Sequence, residues 1–454
     1  MKKICDRLYE PGLPAFPLFE IQARRDACLR SFFPPIDMKT GSGAKLLQSG
    51  IIYSAINFLT GLGNLAFQMV MGHHLNNPGQ YSNANSAINA FQPLLGLPPQ
   101  LAIMAVTHYI AHFHALGDAA RLQGLLAGCK KFLLHLTIYG SLLAIVVAKP
   151  LSLFLHYTTT LLAVSLICTL LGLWTTLATA LCQGLAWFKR LAIVGFLVMV
   201  LRVGFGYLVT LKWPYPETFV LASTFALLGY LVLFFWRKDL SLPKHTAPVS
   251  PWNHEFTLYL TVSGAFVIGS YCFGLSDLLV MQRYFSKTAS GDAYTAAERL
   301  AFSLPTTVAP LLTVLFTNRS IAHSADALRE QLKLIGLYAV GLVFGAGCLF
   351  VLRHFCLRLL HKDSPEAAQM IEYLSITMIF VGLLQAVGTW ALASRWSRTA
   401  LLYGALGLGY TVLILTLGKT PVALLHVMPL GAALAFVVLF TVWLLAMRRH
   451  KPVS

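Results

Sequence analysis

The chain has 454 residues, a net charge of +17, only 11% charged residues and a mean hydropathy of +0.69. Soluble domains carry roughly a quarter charged residues, so composition excludes a soluble fold and points to a lipid-embedded one. The excess charge does not indicate nucleic acid: most Lys and Arg fall in short segments between apolar runs, and no basic, aromatic-interleaved groove forms.

The first 44 residues are polar and basic, with Lys2, Lys3, Arg7, Arg24, Arg25 and Arg30, and lack the apolar core of a signal peptide. This arm reads either as a cytoplasmic extension or as an over-long gene product in which Met38 is the true start. A helix crosses the hydrocarbon with about 20 apolar residues. On that measure the chain offers spans at 46–72, 86–112, 128–148, 159–183, 190–211 and 217–236. A polar segment, 237–255, then precedes six more at 257–282, 294–317, 332–352, 370–393, 399–417 and 423–446.

The predicted organisation is an all-α polytopic membrane protein of about twelve transmembrane helices. Its parts are an N-terminal arm (1–44), a six-helix lobe (45–236), a cytoplasmic linker (237–255), a second six-helix lobe (256–447) and a tail (448–454). With the N-terminus cytoplasmic, 24 Lys and Arg fall on the cytoplasmic side and 8 on the other, as the positive-inside rule requires. Both termini are then cytoplasmic. At an offset of 213 residues, Asn64-Leu65 falls on Asp277-Leu278 and Tyr81 on Tyr294, each tyrosine following a Gly-containing polar turn. This predicts parallel repeats related by a pseudo-twofold axis along the membrane normal, with the substrate path between them.

Charges at membrane depth are costly and usually face a partner or a cavity. Arg202 lies mid-span in the fifth helix, with no acidic residue in the first half placed to neutralise it. Its guanidinium fork suits phosphate oxygens. Asp277 and Arg299 sit at similar depth in the seventh and eighth spans. They are expected either to pair across the two helices or to line the central cavity, Arg299 meeting an anionic headgroup. Glu298 and Glu372 read as interfacial. The first two spans carry Asn57, Asn64, Gln68, Asn85, Asn89 and Gln92, suited equally to sugar hydroxyls and to helix contacts. Pro93, Pro98 and Pro99 are expected to break the second span, and Pro305 and Pro310 the eighth.

His108 and His112 are four apart but lack an intervening Glu and fall near a span end, so they read as interfacial histidines and no metal site is expected. Eight cysteines include no CxxC pair. No phosphate loop, Gly-x-Ser-x-Gly or cofactor motif occurs, so no cofactor and no enzyme activity are expected.

The stretch Gly50 to Ala111 resembles the opening of the oligosaccharide flippases, the polysaccharide-biosynthesis proteins of the multidrug/oligosaccharidyl-lipid/polysaccharide (MOP) exporter superfamily. The likeness rests on Asn64-Leu65-Ala66-Phe67-Gln68, Pro78-Gly79-Gln80-Tyr81-Ser82 and Leu97-Pro98-Pro99-Gln100-Leu101. It continues in Gln183 to Phe188, Leu275-Ser276-Asp277-Leu278-Leu279 and Tyr294 through Arg299 to Leu304-Pro305. The resemblance implies two rocking lobes that flip a polyprenyl-diphosphate-linked oligosaccharide from the cytoplasmic to the outer leaflet of a bacterial inner membrane. Arg202, Arg299, Asn64, Gln68 and Asn89 would bind substrate, and Asp277 would couple to H+ or Na+. The implied partners are the lipid-linked substrate, membrane lipid, and a polysaccharide polymerase with glycosyltransferases. Asn64, where some relatives have a charged residue, makes the cavity less cationic. A cation-coupled multidrug antiporter of the same superfamily is the alternative. A membrane glycan polymerase or ligase is a third reading, disfavoured because the longest outer segment, about 353–369, carries only Asp363 and Glu366 as acids.

Overall fold

A computed structural model describes residues 59–231 and 254–449, apart from 96, 186, 286–287, 322–324 and 395. The expected arm, most of the 237–255 linker and Asn57 lie outside the described residues. All regular structure among the described residues is helical. The helices are numbered here as α1 (59–74), α2 (Gln80–Ala115, in segments), α3 (Ala119–Leu155), α4 (Thr159–Gly184), α5 (Phe188–Thr210) and α6 (Pro216–Leu231, its last turn 3₁₀). The second lobe holds α7 (His254–Phe285), α8 (Ala289–Ile321), α9 (Ala325–Leu359), α10 (Pro365–Ala393), α11 (Ser397–Leu417) and α12 (Pro421–Arg449). Eight of these are long and apolar enough by themselves to cross a membrane. The side bearing the α1–α2, α3–α4, α7–α8 and α9–α10 turns is the one the charge distribution assigns to the exterior, and it is labelled outer on that expectation.

Local sequence sets the helix ends. Asp118, Thr158 and Ser364 cap α3, α4 and α10 by accepting the backbone N–H of Arg121, Leu161 and Ala367 at 3.0–3.1 Å, and Pro365 follows its cap at the first helical position. α3 and α9 each lead into an outer turn whose histidine, His156 or His361, is left-handed. Several helices run longer than hydropathy alone suggested: α3 starts at Ala119 rather than 128, because its first turns are capped and amphipathic rather than uniformly apolar.

The prolines act differently in the two lobes. In α2 the backbone widens into a π segment over Ala87–Phe91 just before Pro93, which accommodates a residue that cannot donate its backbone hydrogen bond. In α8 the helix runs unbroken from Ala289 to Ile321 through Pro305 and Pro310, contrary to expectation. A proline displaces one hydrogen bond of the ladder, and packing of α8 between α9 and α10 holds the rest of the helix. α7 and α11 approach most closely where small residues face one another. A Cβ on Gly407 would lie 2.7 Å from the Gly269 Cα, and one on Gly404 2.6 Å from the Ala265 carbonyl oxygen.

The lobes meet at both ends. On the outer side Asp292 of α8 accepts the backbone N–H of Gly79 (3.1 Å) and of Ser82 (2.8 Å). Gly79 is the left-handed N-cap of α2 (φ 81°) and supplies no side-chain cap of its own. The opposite lobe's carboxylate therefore caps the helix in trans, satisfying the same two donors that a capping box satisfies within one chain segment. Lys362 stands 3.8 Å from Asp292 and donates to the Leu75 carbonyl at 3.2 Å. In the mirrored position Arg283 of α7 donates to the Phe154 carbonyl (2.8 Å) and lies 3.3 Å from His156 Nε2. Gln282 adds bonds to Ser86, Asn83 and the Leu155 carbonyl. Thr295 donates to Ser82 Oγ at 3.3 Å, and these two residues are 213 apart. Equivalent positions of a twofold repeat touch only at its axis, so this contact marks the pseudo-twofold. At the inner end α2 meets α7 through rings, Tyr109 against Phe256 (4.8 Å) and His108 against Tyr259 (5.0 Å).

Candidate functional site

Arg202 sits about two turns from the outer end of α5. Its Nε donates to Ser223 of α6 at 2.7 Å and its Nη1 to Asn64 Oδ1 of α1 at 3.0 Å. The guanidinium carbon lies 4.3 Å from the centroid of the Phe67 ring, a cation–π contact. Gly206 makes this possible: one turn from Arg202, a Cβ there would lie 2.9 Å from the Phe67 ring. The head is thus fixed by two neutral oxygens and an aromatic face. Among the described residues no carboxylate comes within ion-pair distance of it. Neutral acceptors satisfy the N–H groups without cancelling the charge, which leaves the site electrostatically unfilled.

Arg299 of α8, in the other lobe, lies within electrostatic reach of Arg202. The expected Asp277–Arg299 ion pair is not formed. Arg299 instead bonds Glu298 in a two-pronged salt bridge, with its guanidinium over the Phe302 ring at 4.9 Å. Asp277 accepts the Tyr294 hydroxyl through Oδ2 at 2.8 Å, and its buried Oδ1 has no hydrogen-bond partner. The reason lies in helix geometry. Tyr294 is on the face of α8 that meets α7, and Arg299, five residues on, is rotated away from it. Glu298 is fully buried rather than interfacial, a second correction, because α8 begins at Ala289 and carries position 298 to membrane depth. Glu372 is partly exposed and pairs with Arg353 at 3.5 Å.

The amides divide. Asn64 belongs to the Arg202 cluster. Gln68 accepts the Tyr81 hydroxyl at 3.0 Å and ties α1 to α2. Asn89 donates along its own helix to Asn85, within the π segment. Neither amide bonds an arginine. Tyr81 itself lies within electrostatic reach of Arg299, Asp292 and Glu298, which places the outer latch and the charged centre in one continuous region. Sequence reasoning gives no site role to Ser223, Phe67 or Tyr294, although Phe67 and Tyr294 lie in the stretches that carry the resemblance. It places Glu298 at the interface and does not pair it with Arg299, because adjacent helix positions do not ordinarily face each other. Among the described residues no group of three or more His, Cys, Asp or Glu is placed to hold a metal ion.

No family profile and no curated protein matches the chain by sequence. Solved structures do match it by shape. An inward-facing multidrug resistance MATE family transporter of the MOP superfamily superposes with a TM-score of 0.62 at 14% identity, over 89% of this chain and 99% of its own. An outward-facing MATE transporter of that superfamily gives 0.62 at 13% identity, over 91% and 99%. A MOP superfamily transporter from Pyrococcus furiosus, described as having a binding pocket of reversed polarity that suggests a different function, gives 0.63 at 14%, over 88% and 95%. The fold is that of the MATE transporters. It is a polytopic helical bundle in two lobes, with twelve helices among the described residues, and Arg202 and Arg299 belong one to each lobe.

Proposed function

We propose that the chain is an alternating-access membrane transporter that flips a polyprenyl-diphosphate-linked oligosaccharide from the cytoplasmic to the outer leaflet of a bacterial inner membrane. The observation that carries this reading is Arg202, a guanidinium at membrane depth held by Ser223 and Asn64 with no carboxylate among the described residues to neutralise it. Such a charge is costly unless a ligand completes it, and a diphosphate offers paired oxygens matched to a guanidinium fork. In this reading Arg202 and Arg299 bind the diphosphate, Asn64 positions Arg202, and the amides Gln68 and Asn89 face the sugar once the lobes part. Asp277, with one oxygen unpartnered, is the site for a coupling H+ or Na+. A polymerase and glycosyltransferases would act before and after it.

The test is translocation of a fluorescent polyprenyl-diphosphate oligosaccharide in proteoliposomes. Wild-type transport that disappears in the Arg202→Ala/Arg299→Ala double variant, with the protein still folded, supports the diphosphate site. Equal transport by both removes the site assignment. Absence of wild-type transport under any ion gradient favours the second reading, a cation-coupled multidrug antiporter. That reading has its own supporting observation, the buried acids Asp277 and Glu298 beside one another in the same lobe. It requires that Asp277→Asn abolish drug resistance.

A further inference from the structure

The two arginines of the central cluster are held in different ways. Arg202 makes hydrogen bonds only to neutral oxygens, through Nε and Nη1, and its other terminal nitrogen makes none to the described residues. Arg299 has its Nε–Nη2 edge occupied by both oxygens of Glu298. That edge is the one a phosphate would grip. Glu298 is fully buried, and Arg299 is the only group among the described residues within hydrogen-bond distance of its carboxylate. Consecutive helix residues project about 100° apart, so the arginine must curl back to reach its neighbour. It is long enough to reach elsewhere.

We propose that Glu298 is an internal stand-in for the substrate's anion: substrate displaces it from Arg299, and the displaced carboxylate takes up a proton. This rests on the reading that the cargo is a phosphate-type anion bound at Arg202. In the empty site the Glu298–Arg299 pair is neutral and Arg202 carries the open charge. When a substrate oxygen takes the Arg299 edge, Glu298 becomes a buried carboxylate beside an anion, with no cation left to it. Burial and like charge both favour the neutral acid. A proton passes from hydronium in solution to one of its oxygens: the carboxyl O–H bond forms as the hydronium O–H bond breaks, leaving water.

The groups around Glu298 explain why it, and not another acid, is exchanged. On α8 it bonds Arg299, and within electrostatic reach of it lie Tyr294 of the same helix, Asp277 of α7 and Tyr81 of α2. Beyond these stand Arg202 on α5, near Arg299, and Tyr410 on α11, near Asp277 and Tyr294. Asp277 is bonded to Tyr294 and not to Arg299. Only Glu298 loses its partner when substrate arrives. A diphosphate diester carrying two negative charges would leave with one proton and still move net negative charge outward, the direction an inside-negative potential favours.

The experiment is proton uptake on binding. Purified full-length protein in weakly buffered detergent is mixed with a short-chain polyprenyl diphosphate bearing one sugar, and a pH-indicator dye follows the solution. Wild type should take up about one proton per probe bound, with affinity rising by up to about tenfold per unit fall in pH. Glu298→Gln should bind the probe without uptake and with affinity independent of pH. Glu298→Asp, which keeps a titratable group, should retain uptake and guards against a Gln variant that fails to fold. Wild-type binding without proton uptake, or full uptake by Glu298→Gln, overturns the proposal while leaving the transporter reading intact. No wild-type binding at any pH overturns the diphosphate reading and this proposal with it.

Discussion

Replacing Asp292 with Asn removes one charge and one of the two acceptor oxygens at almost constant volume, so it weakens the outer closure without opening a cavity. The carboxylate accepts two backbone N–H groups from the other lobe, at 3.1 and 2.8 Å, with Lys362 3.8 Å away. A hydrogen bond to a charged group contributes about 1.5–3 kcal/mol and a neutral one about 0.5–1.5. Asn keeps one contact as a neutral bond and loses the other, and with the favourable end-charge of α2 gone as well the closed outer end should lose at least about 2–3 kcal/mol in total. That corresponds to a roughly 30- to 150-fold shift of the closed-to-open ratio. The assay is electron–electron distance measurement between nitroxides at Asn76 and Glu366, both exposed and on opposite lobes at the outer end, in a cysteine-depleted background. Wild type should give one narrow distance, and Asp292→Asn a second, longer population. Superimposable distributions from the two proteins would refute the assignment of Asp292 as the latch.

Arg202→Lys should behave much like Arg202→Ala in substrate affinity, a loss of roughly 10- to 100-fold, because an ammonium cannot serve Ser223, Asn64 and a phosphate together; equilibrium binding of the polyprenyl-diphosphate probe checks this. Gly407→Ala should destabilise the second lobe by about 1–3 kcal/mol through overpacking against Gly269, read as a lower thermal midpoint in detergent. In the α9–α10 turn, hydrogen bonds from His354 and Arg358 hold the Asp363 carboxyl below the ordinary carboxylate range. A carboxylate with a depressed folded value contributes fully above its unfolded value of about 3.9, and that contribution is lost as pH falls through the lower folded value. Amide protection across 360–364, taken relative to the intrinsic exchange rate at each pH, should therefore be the same at about pH 5 and pH 7 and fall only in stronger acid; Asp363→Asn should abolish that acid step.

Twelve spans were legible because lipid writes a simple rule into the chain: an apolar run of fixed length between polar turns. Arg202 was equally legible, since no nearby sequence could neutralise it. What surrounds Arg202 was not, because Asn64, Phe67 and Ser223 come from helices whose rotation about their own axes hydropathy does not specify. Rotation also decided the fate of Arg299. Depth alone made Asp277 its natural partner, yet the face of α8 turned towards α7 carries Tyr294. The prolines show the same limit. Pro93 sits beside a π segment that disturbs α2, while Pro305 and Pro310 leave α8 continuous, and sequence offers the same residue type in both places.

Gly79 and Asp292 are 213 residues apart and stand at equivalent places in the two repeats, where one supplies a bare N–H and the other the oxygen that receives it. In a dimer of identical half-chains this pairing has no good form. Aspartate at both places would set two carboxylates against each other across the axis, and glycine at both would leave two helix ends with donors and no acceptor. Joining the halves into one polypeptide frees the two positions to differ, and only then can a single negative charge lock both copies shut. The latch thus needs two halves that differ in sequence, which one polypeptide supplies and a dimer of identical half-chains cannot.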